Sequence, residues 1–298
     1  MTIGIIGLGR MGYHMAERLL QHKKSVSVYN RTYSKTQSLM RKGAKGGKTL
    51  AEFIDTLDNK KRIVWLMLPA GKVTDNMISE LIPHLKRGDI IVNGANAFYK
   101  NAQAQSKLTE RYGIHLFDAG VSGGIHGLER GYALMFGGPK SQFKYIEPFA
   151  KVLAPKDGYG YFGDVGAGHY VKSVHNIVEY VYMQGLAEGV ELLDGFEKPI
   201  DYKKAAKVWQ PASIVSSALL DWMVDAFSRK DFKKIKTDIG SVTLQELTDT
   251  VRSVKAYAPA FEVARKIRLD KTKKFTLGKR VIAAIRREFG GHAVRKKK

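Results

Sequence analysis

The sequence contains no cysteine, which excludes disulfides, thiolate zinc sites, iron–sulfur clusters and a cysteine nucleophile. Long apolar runs are also missing, because the longest one, residues 63–68, is far shorter than the roughly 20 residues that cross a bilayer. The N-terminus has neither the basic region nor the apolar core of a signal peptide. We therefore expect a cytoplasmic protein with no membrane segment.

Acidic residues are scarce, since 28 Asp and Glu stand against 50 Lys and Arg, and the formal net charge is +22. A chain this basic attracts polyanions, usually nucleic acid, and also small multiply charged metabolites. A nucleic-acid-binding protein, with an affinity that falls steeply with salt, is therefore the alternative from a different class. The absence of a basic stripe interleaved with aromatic residues argues against it. The basic tail, residues 295–298, is expected to fray.

Two periodic patterns divide the 298 residues. From residue 1 to about residue 162, short apolar runs alternate with helical patterns, which is typical of βαβ units in a parallel sheet. Beyond residue 166 the apolar residues recur at spacings of three and four, which indicates helices. The sequence predicts an α/β fold with a Rossmann-type doubly wound sheet in residues 1–165, followed by an all-α helical domain in residues 166–298. The predicted strands are residues 3–7, 25–29, 63–68, 90–93 and 115–118.

A glycine-rich loop follows the first predicted strand and opens the first predicted helix. It reads Gly7-Leu8-Gly9-Arg10-Met11-Gly12, which is the G-x-G-x-x-G pattern of dinucleotide-binding folds in the context that makes it specific. Gly7 allows a tight turn, Gly9 lets a pyrophosphate approach the backbone, and Gly12 lets helix and strand pack closely. The N–H groups at the helix N-terminus then face the anion. We predict that this loop binds a dinucleotide cofactor.

The residues after the second predicted strand indicate which dinucleotide binds. Folds that bind NAD carry a carboxylate about 20 residues beyond the glycine loop, where it bonds the ribose. Residues 29–35 contain no carboxylate. Arg31 can stack on the adenine and pair with a 2′-phosphate, helped by Asn30, Thr32 and Lys35. The sequence therefore predicts NADP as the preferred cofactor, with NAD as the alternative.

One helical segment in the second half carries a stripe of chemically diverse side chains. Its members fall at relative positions 0, 3, 4, 7 and 8, which share one face of a helix, and they are Lys172, His175, Asn176, Glu179 and Tyr180. A solvated face is the plain alternative, but such faces favour repeated Glu and Lys. The flanking positions are apolar, among them Val174 and Val178. Burial would make Lys172 a usable base, and Glu179 could exchange protons with another atom of the same ligand.

These segments together resemble the 6-phosphogluconate dehydrogenase family of the β-hydroxyacid dehydrogenases, from residue 1 to residue 292. Besides the glycine loop, the resemblance rests on residues 67–71, 93–96, 120–124 and 168–176. Residues 127–135 and the chain length resemble the short branch of the family, in which the helical domain is single and not duplicated.

The resemblance implies the oxidative decarboxylation of 6-phosphogluconate to ribulose 5-phosphate and CO2, with reduction of NADP or NAD and without a metal. Lys172 would remove the proton of the 3-hydroxyl while C3 gives a hydride to the nicotinamide, and Glu179 would later protonate C1 of the enediol. Besides the glycine loop and the residues after the second strand, four further residues would contact the cofactor: Leu68, Pro69, Ala70 and Asn96. Other residues would hold the carboxylate, hydroxyls and phosphate of the substrate: Asn96, Ser122, Gly123, Gly124, His175, Asn176, Tyr180, Arg268, Arg286 and His292.

The resemblance also implies an oligomer, because Arg286 and His292 would reach the phosphate from a second subunit. We therefore expect a homodimer or homotetramer in which the helical domain binds substrate and mediates dimerisation. The chain departs from the family pattern at Asn93 and Ala97, and Ser241 stands where a phosphate-binding lysine is common. A sister β-hydroxyacid dehydrogenase, for instance one acting on 3-hydroxyisobutyrate, is the alternative among enzymes.

Overall fold

The computed structural model of the protein describes residues 1–58, 60–239 and 243–296. The chain divides into two compact units, Met1–Ser173 and Val174–Lys298. The division falls inside a long helix, Ala167–Asp194. The boundary that the sequence predicts, between residues 165 and 166, lies just before this helix.

The first unit is built on one eight-stranded sheet, in the order β3-β2-β1-β4-β5-β6-β7-β8. Strands β1 to β6 pair in parallel, β7 runs antiparallel to β6, and β8 is parallel to β7. All five predicted strands are present, while β3, β7 and β8 were not predicted. The strands are β1 Ile3–Ile6, β2 Val26–Tyr29, β3 Lys45–Gly46, β4 Ile63–Leu66, β5 Ile90–Asn93, β6 His115–Ser122, β7 Ala133–Gly137 and β8 Tyr159–Tyr161.

Helices cover both faces of this sheet, which explains why its central strands are continuously apolar. Successive strand residues point to opposite faces, so Ile5 packs with Met15 and Phe149 in one core cluster and Ile6 packs with Phe53 in another. This is the predicted doubly wound arrangement. The helices of this unit are α1 Arg10–Gln21, α2 Tyr33–Met40, α3 Leu50–Asp55, α4 Lys72–Leu81, α5 Tyr99–Glu110, α6 Gly127–Arg130 and α7 Lys140–Leu153.

The second unit is helical, as predicted, and has its own core. Leu220, Leu247, Phe261 and Ile282 are buried in that core, and α10 packs along α13. The helices are α8 Ala167–Asp194, which begins in the first unit, α9 Tyr202–Trp209, α10 Ala218–Ser228, α11 Leu244–Ser253, α12 Pro259–Leu269 and α13 Thr276–Gly290. None of the helices in the described ranges has the length and apolar character that a membrane crossing needs.

The C-terminal tail is bound to the body of the second unit as far as it is described. Lys236 N donates to Arg295 O at 2.8 Å, and Ile235 forms a β-bridge with Lys296. Lys296 Nζ also lies 2.9 Å from Asp231 Oδ2. The expectation of a frayed tail is therefore wrong for residues 295 and 296, because backbone pairing and an ion pair hold them; residues 297 and 298 lie outside the described part.

Candidate active site

The sheet brings the predicted loops of the first unit to one edge. Strands β2, β1, β4, β5 and β6 are parallel neighbours, so the loops after their carboxyl ends share an edge, which is where doubly wound sheets bind ligands. These loops carry the glycine fingerprint, residues 30–35, residues 68–70, Asn96 and residues 122–124. Arg10, Pro69, Ala70 and Asn96 are exposed there, whereas Met11, Leu68 and residues 122–124 are half-buried.

The three glycines of the fingerprint differ in what requires them. Gly7 has a φ of +96°, and a Cβ at Gly12 would lie 2.1 Å from Gly7 O, so both are required by the fold itself. Gly9 has an ordinary φ of −68°, and a Cβ built there would meet no described atom within 4 Å. The open space beside Gly9, at the start of α1, fits the close approach of a pyrophosphate to backbone N–H groups.

In the loop after β2, Asn30 holds the glycine loop, and Arg31 and Lys35 carry exposed positive charges. Asn30 Oδ1 accepts a hydrogen bond from Leu8 N at 2.9 Å, and Asn30 Nδ2 donates to Thr32 O at 3.2 Å. Asn30 thus braces the glycine loop. Arg31, Thr32 and Lys35 are exposed next to it, with no acidic side chain in residues 29–35. A 2′-phosphate would find cationic and hydroxyl donors here, and no repelling carboxylate.

Lys172 is buried, at 8% exposure, where α8 packs closely on β6. A Cβ at Gly120 would lie 2.4 Å from Lys172 Cβ. A Cβ at Gly168 would lie 2.4 Å from Met135 O and 2.6 Å from Asp118 O. The absence of side chains at these two glycines lets the first turns of α8 approach the sheet backbone, and this approach fixes the stem of Lys172 beside β6.

A buried polar chain that sequence reasoning missed holds the start of α8. Asp118 is fully buried and accepts backbone hydrogen bonds from Gly166 and His169, each at 2.6 Å. His169 Nε2 lies 3.1 Å from Asn93 O. Asn93 Nδ2 donates to Gln105 Oε1, and Gln105 Nε2 donates to an Asp75 carboxylate oxygen, both at 2.7 Å. The sequence did carry a signal for His169, because this residue lies one turn before Lys172 on the same helical stripe.

The stripe on α8 is more buried than its apolar flank. Asn176 and Tyr180 are 7% and 4% exposed, whereas Val174 and Val178 are 40% and 61% exposed. The large majority of buried polar groups have hydrogen-bond partners. His175 Nδ1 lies 3.1 Å from Asn176 Oδ1 and 3.9 Å from a Glu179 carboxylate oxygen. The solvated-face alternative therefore does not describe this stripe.

Two buried arginines lie near Tyr180 in the second unit. Arg268 is 8% exposed and its guanidinium carbon lies 3.6 Å from the centroid of the Tyr180 ring. None of its three side-chain nitrogens has a hydrogen-bond partner among the described residues. Burial lowers the pKa of Arg268 to about 10 and also lowers the pKa of Arg286, which is 7% exposed. The unpaired buried nitrogens of Arg268 fit an anion.

The other residues predicted to bind the phosphate are Arg286 and His292, and Ser241 stands where a phosphate-binding lysine is common. Arg286 is near enough to Tyr180 and Glu179 of its own chain for their charges to act on its pKa. His292 is half-buried, with its ring 6.2 Å from that of Phe289. Ser241 lies outside the described residues. Within the described ranges, no group of three or more His, Asp or Glu side chains is arranged to hold a metal ion.

Comparison with known proteins gives consistent results. Residues 2–163 match the family of the NAD binding domain of 6-phosphogluconate dehydrogenase. YqeC of Bacillus subtilis (strain 168), itself only provisionally named a 6-phosphogluconate dehydrogenase, is 34% identical over 300 residues, covering 100% of both chains. The NAD(+)-dependent, decarboxylating 6-phosphogluconate dehydrogenase of Haloferax volcanii is 36% identical over 243 residues, covering 81% of this chain and 78% of that protein.

A solved structure supports the same relationship. Plasmodium falciparum 6-phosphogluconate dehydrogenase, studied in its apo form and with its cofactor NADP+ or its substrate 6-phosphogluconate, superposes with a TM-score of 0.82 at 27% identity. The match covers 90% of this chain but only 62% of that one.

Proposed function

Because this chain belongs to the 6-phosphogluconate dehydrogenase family of oxidoreductases, we propose that it converts 6-phosphogluconate to ribulose 5-phosphate and CO2 with NADP as the electron acceptor. The observation that carries this proposal is the buried guanidinium of Arg268, whose three nitrogens have no partner in the described ranges. A phosphate would pair with them, whereas 3-hydroxyisobutyrate has no phosphate to do so. The structure therefore favours the phosphorylated sugar acid over the sister-enzyme alternative.

The two ends of the substrate are assigned to different residues. Its reacting carbons would contact Lys172, and its phosphate would contact Tyr180 and Arg268. Asn96, Ser122, Gly123, Gly124, His175 and Asn176 are the proposed partners of its carboxylate and hydroxyls.

In the proposed mechanism, Lys172 Nζ accepts the proton of the 3-hydroxyl. The bound nicotinamide supplies the acceptor for the hydride that leaves C3. Lys172, now an ammonium, donates a hydrogen bond to the new carbonyl oxygen. This hydrogen bond helps the carbonyl to accept the electron pair that remains when CO2 leaves, so no metal is needed. Glu179 then delivers a proton to the carbon that lost CO2 and becomes C1 of the product. Burial of Lys172 keeps water from competing for these protons.

The cofactor would be held by the glycine loop, Leu68, Pro69, Ala70 and Asn96. We propose a preference for NADP because Arg31, Thr32 and Lys35 are exposed after β2, with no carboxylate in residues 29–35. A higher kcat/KM with NAD than with NADP would reject this preference. Asn30 contributes by holding the glycine loop through Leu8 N.

We propose, as the resemblance implies, that Arg286 completes the phosphate site from a second subunit. Completion within one chain is the alternative, because Tyr180 and Glu179 of the same chain act on the pKa of Arg286. Hybrids that combine Lys172→Ala subunits with Arg286→Ala subunits distinguish the two arrangements. Completion within one chain predicts inactive hybrids, whereas contribution from a neighbour predicts one intact site per mixed pair. Light scattering of the same samples tests the proposed homodimer or homotetramer.

The direct test of the function is reduction of NADP or NAD followed at 340 nm, with release of CO2 measured in parallel. We expect turnover with 6-phosphogluconate and none with 3-hydroxyisobutyrate. General acid–base groups contribute about 10²–10⁴-fold, so Lys172→Ala should lower kcat by roughly 10³ while the melting temperature stays unchanged. Turnover of 3-hydroxyisobutyrate alone, or an active Lys172→Ala variant, would reject the proposal.

A further inference from the structure

His169 has no role in the proposed chemistry, yet it is 1% exposed and lies one turn before Lys172. Its backbone N donates to Asp118 Oδ2 at 2.6 Å, and its ring contacts Asn93 O at 3.1 Å. These two partners precede His169 by 51 and 76 residues. The ring of His169 therefore joins the end of β5, and its backbone N joins β6, to the helix that carries the proposed base.

The chemistry of the partner determines the state of the ring. A backbone carbonyl oxygen only accepts hydrogen bonds, so Nε2 must carry the proton that reaches Asn93 O. Burial lowers the pKa of His169, and the nearby Asp118 carboxylate offsets this only in part. The imidazole is therefore neutral near pH 7, and Nδ1 carries a lone pair. Nδ1 is buried and has no partner in the described part of the chain.

The contact with Asn93 links two segments of the proposed site. Asn93 ends β5, and its side chain is held by Gln105 Oε1 and by the N–H of Ala95. Asn96, a proposed contact of cofactor and substrate, follows three residues later and is exposed. Lys172 follows His169 on α8. A shift of the His169 ring would thus displace Lys172 relative to the loop that carries Asn96.

We propose that His169 is a positioning residue, which sets the register of Lys172 against the Asn93–Asn96 loop through its Nε2–H donor to the Asn93 carbonyl. It touches neither proton that the reaction moves. Outer-shell partners of metal ligands change affinity or activity about 10- to 100-fold when they are replaced, and we expect an effect of similar size here. This proposal rests on the proposed function, because the reaction is what requires the register.

Three substitutions at this position separate the hydrogen bond from the ring. In His169→Gln, the amide nitrogen occupies the position of Nε2 and can donate to Asn93 O. In His169→Asn the amide reaches only the position of Nδ1, and His169→Leu has no donor. We expect kcat to fall about 10- to 100-fold in the Asn and Leu variants, with KM for 6-phosphogluconate within threefold, and the Gln variant to recover to within threefold of wild type.

A matched control separates positioning from general destabilisation. Gln184 is also a buried polar residue of α8, at 5% exposure, and lies three turns beyond Lys172. Gln184→Leu removes a buried polar group without touching the β5 loop. Its kcat should therefore equal that of wild type, even if its melting temperature falls. If His169→Leu does not fold, the comparison of the Gln and Asn variants decides the same question.

Three results would overturn the positioning role. A His169→Leu variant with the kcat of wild type would show that the register does not depend on this bond. Equal losses in the Gln and Asn variants would show that the ring itself, not its donor, is needed. A two-bond ¹H–¹⁵N correlation of the ligand-free protein should show the proton on Nε2, and a proton on Nδ1 would reject the proposal without any assay. Failure of the proposed function is separate, since the wild type would then not turn over 6-phosphogluconate.

Discussion

Replacing Arg268 with methionine should stabilise the ligand-free protein while it weakens substrate binding. The pKa of Arg268 is lowered by burial from its ordinary 12.5 to about 10, which corresponds to about 3.5 kcal/mol at roughly 1.4 kcal/mol per pKa unit. The stacking of its guanidinium on Tyr180, 3.6 Å from the ring centroid, returns about 0.5–2 kcal/mol of this cost. Methionine removes both contributions and fills a similar volume, so we expect a net gain of about 1.5–3 kcal/mol in the free energy of unfolding.

Substrate binding should change in the opposite direction. A charge-assisted hydrogen bond contributes about 1.5–3 kcal/mol, so the loss of even one to the phosphate should raise KM for 6-phosphogluconate about 10- to 150-fold. Urea unfolding with and without the substrate measures both effects. At 100 times its dissociation constant, a ligand raises stability by about 2.7 kcal/mol, and we expect this gain in wild type. At the same substrate concentration, binding that is about 10- to 150-fold weaker leaves a gain of only about 0.3–1.4 kcal/mol in Arg268→Met.

The stability of the ligand-free variant is the decisive measurement. If Arg268→Met lowered the free energy of unfolding by more than about 1 kcal/mol, the guanidinium would be making a structural contact. The reasoning from unpaired buried nitrogens to an anion site would then fail, even if KM also rose.

Four other substitutions test separate features of the fold. Gly9→Ala should leave the free energy of unfolding within about 0.5 kcal/mol of wild type but raise KM for the cofactor at least tenfold. Gly12→Ala, whose Cβ would lie 2.1 Å from a backbone oxygen, should lower the free energy of unfolding by about 1–3 kcal/mol. Urea unfolding midpoints and cofactor titrations distinguish the two variants. Asn93→Asp replaces an amide donor with an acceptor and should cost about 1–3 kcal/mol in urea unfolding. Lys279 is 2% exposed and lowers the pKa of Asp270 to about 2. The Asp270 carboxylate therefore stabilises the protein above its unfolded pKa near 3.8, and this contribution is lost as pH falls towards 2. In Lys279→Met the acid dependence of stability between pH 4 and 2 should flatten, and an unchanged dependence would contradict the assignment.

Much of the first unit could be predicted because its central strands are short apolar runs next to helical patterns. The strands that were missed give weaker signals. β3 has two residues, and β7 and β8 include glycines, Gly137 and Gly160, within short segments. Their pairing depends on contacts outside each strand, since β7 pairs antiparallel with β6 and Leu134 of β7 pairs with Tyr159 of β8. The local sequence pattern therefore predicted the central parallel strands but not β3, β7 and β8 at the two edges of the sheet.

The candidate site divides in the same way. Helical geometry puts Lys172, Asn176 and Tyr180 on one stripe whatever surrounds them, so the amino-acid order alone determined which side chains stand together. It did not determine which face of α8 is buried: Val178 is 61% exposed and Tyr180 is 4% exposed. Burial depends on what packs against a helix, and that exists only after the chain has folded.

The partners of His169 and Arg268 were likewise decided only by the tertiary structure. Asp118 and Asn93 come to His169 because β5 and β6 are adjacent strands whose carboxyl ends share an edge. Arg268 lies over Tyr180 because two helices pack together, although 88 positions separate them in the sequence. Contacts between residues so far apart leave no periodic trace in the chain, because periodicity records the local geometry of one element and not the packing of several.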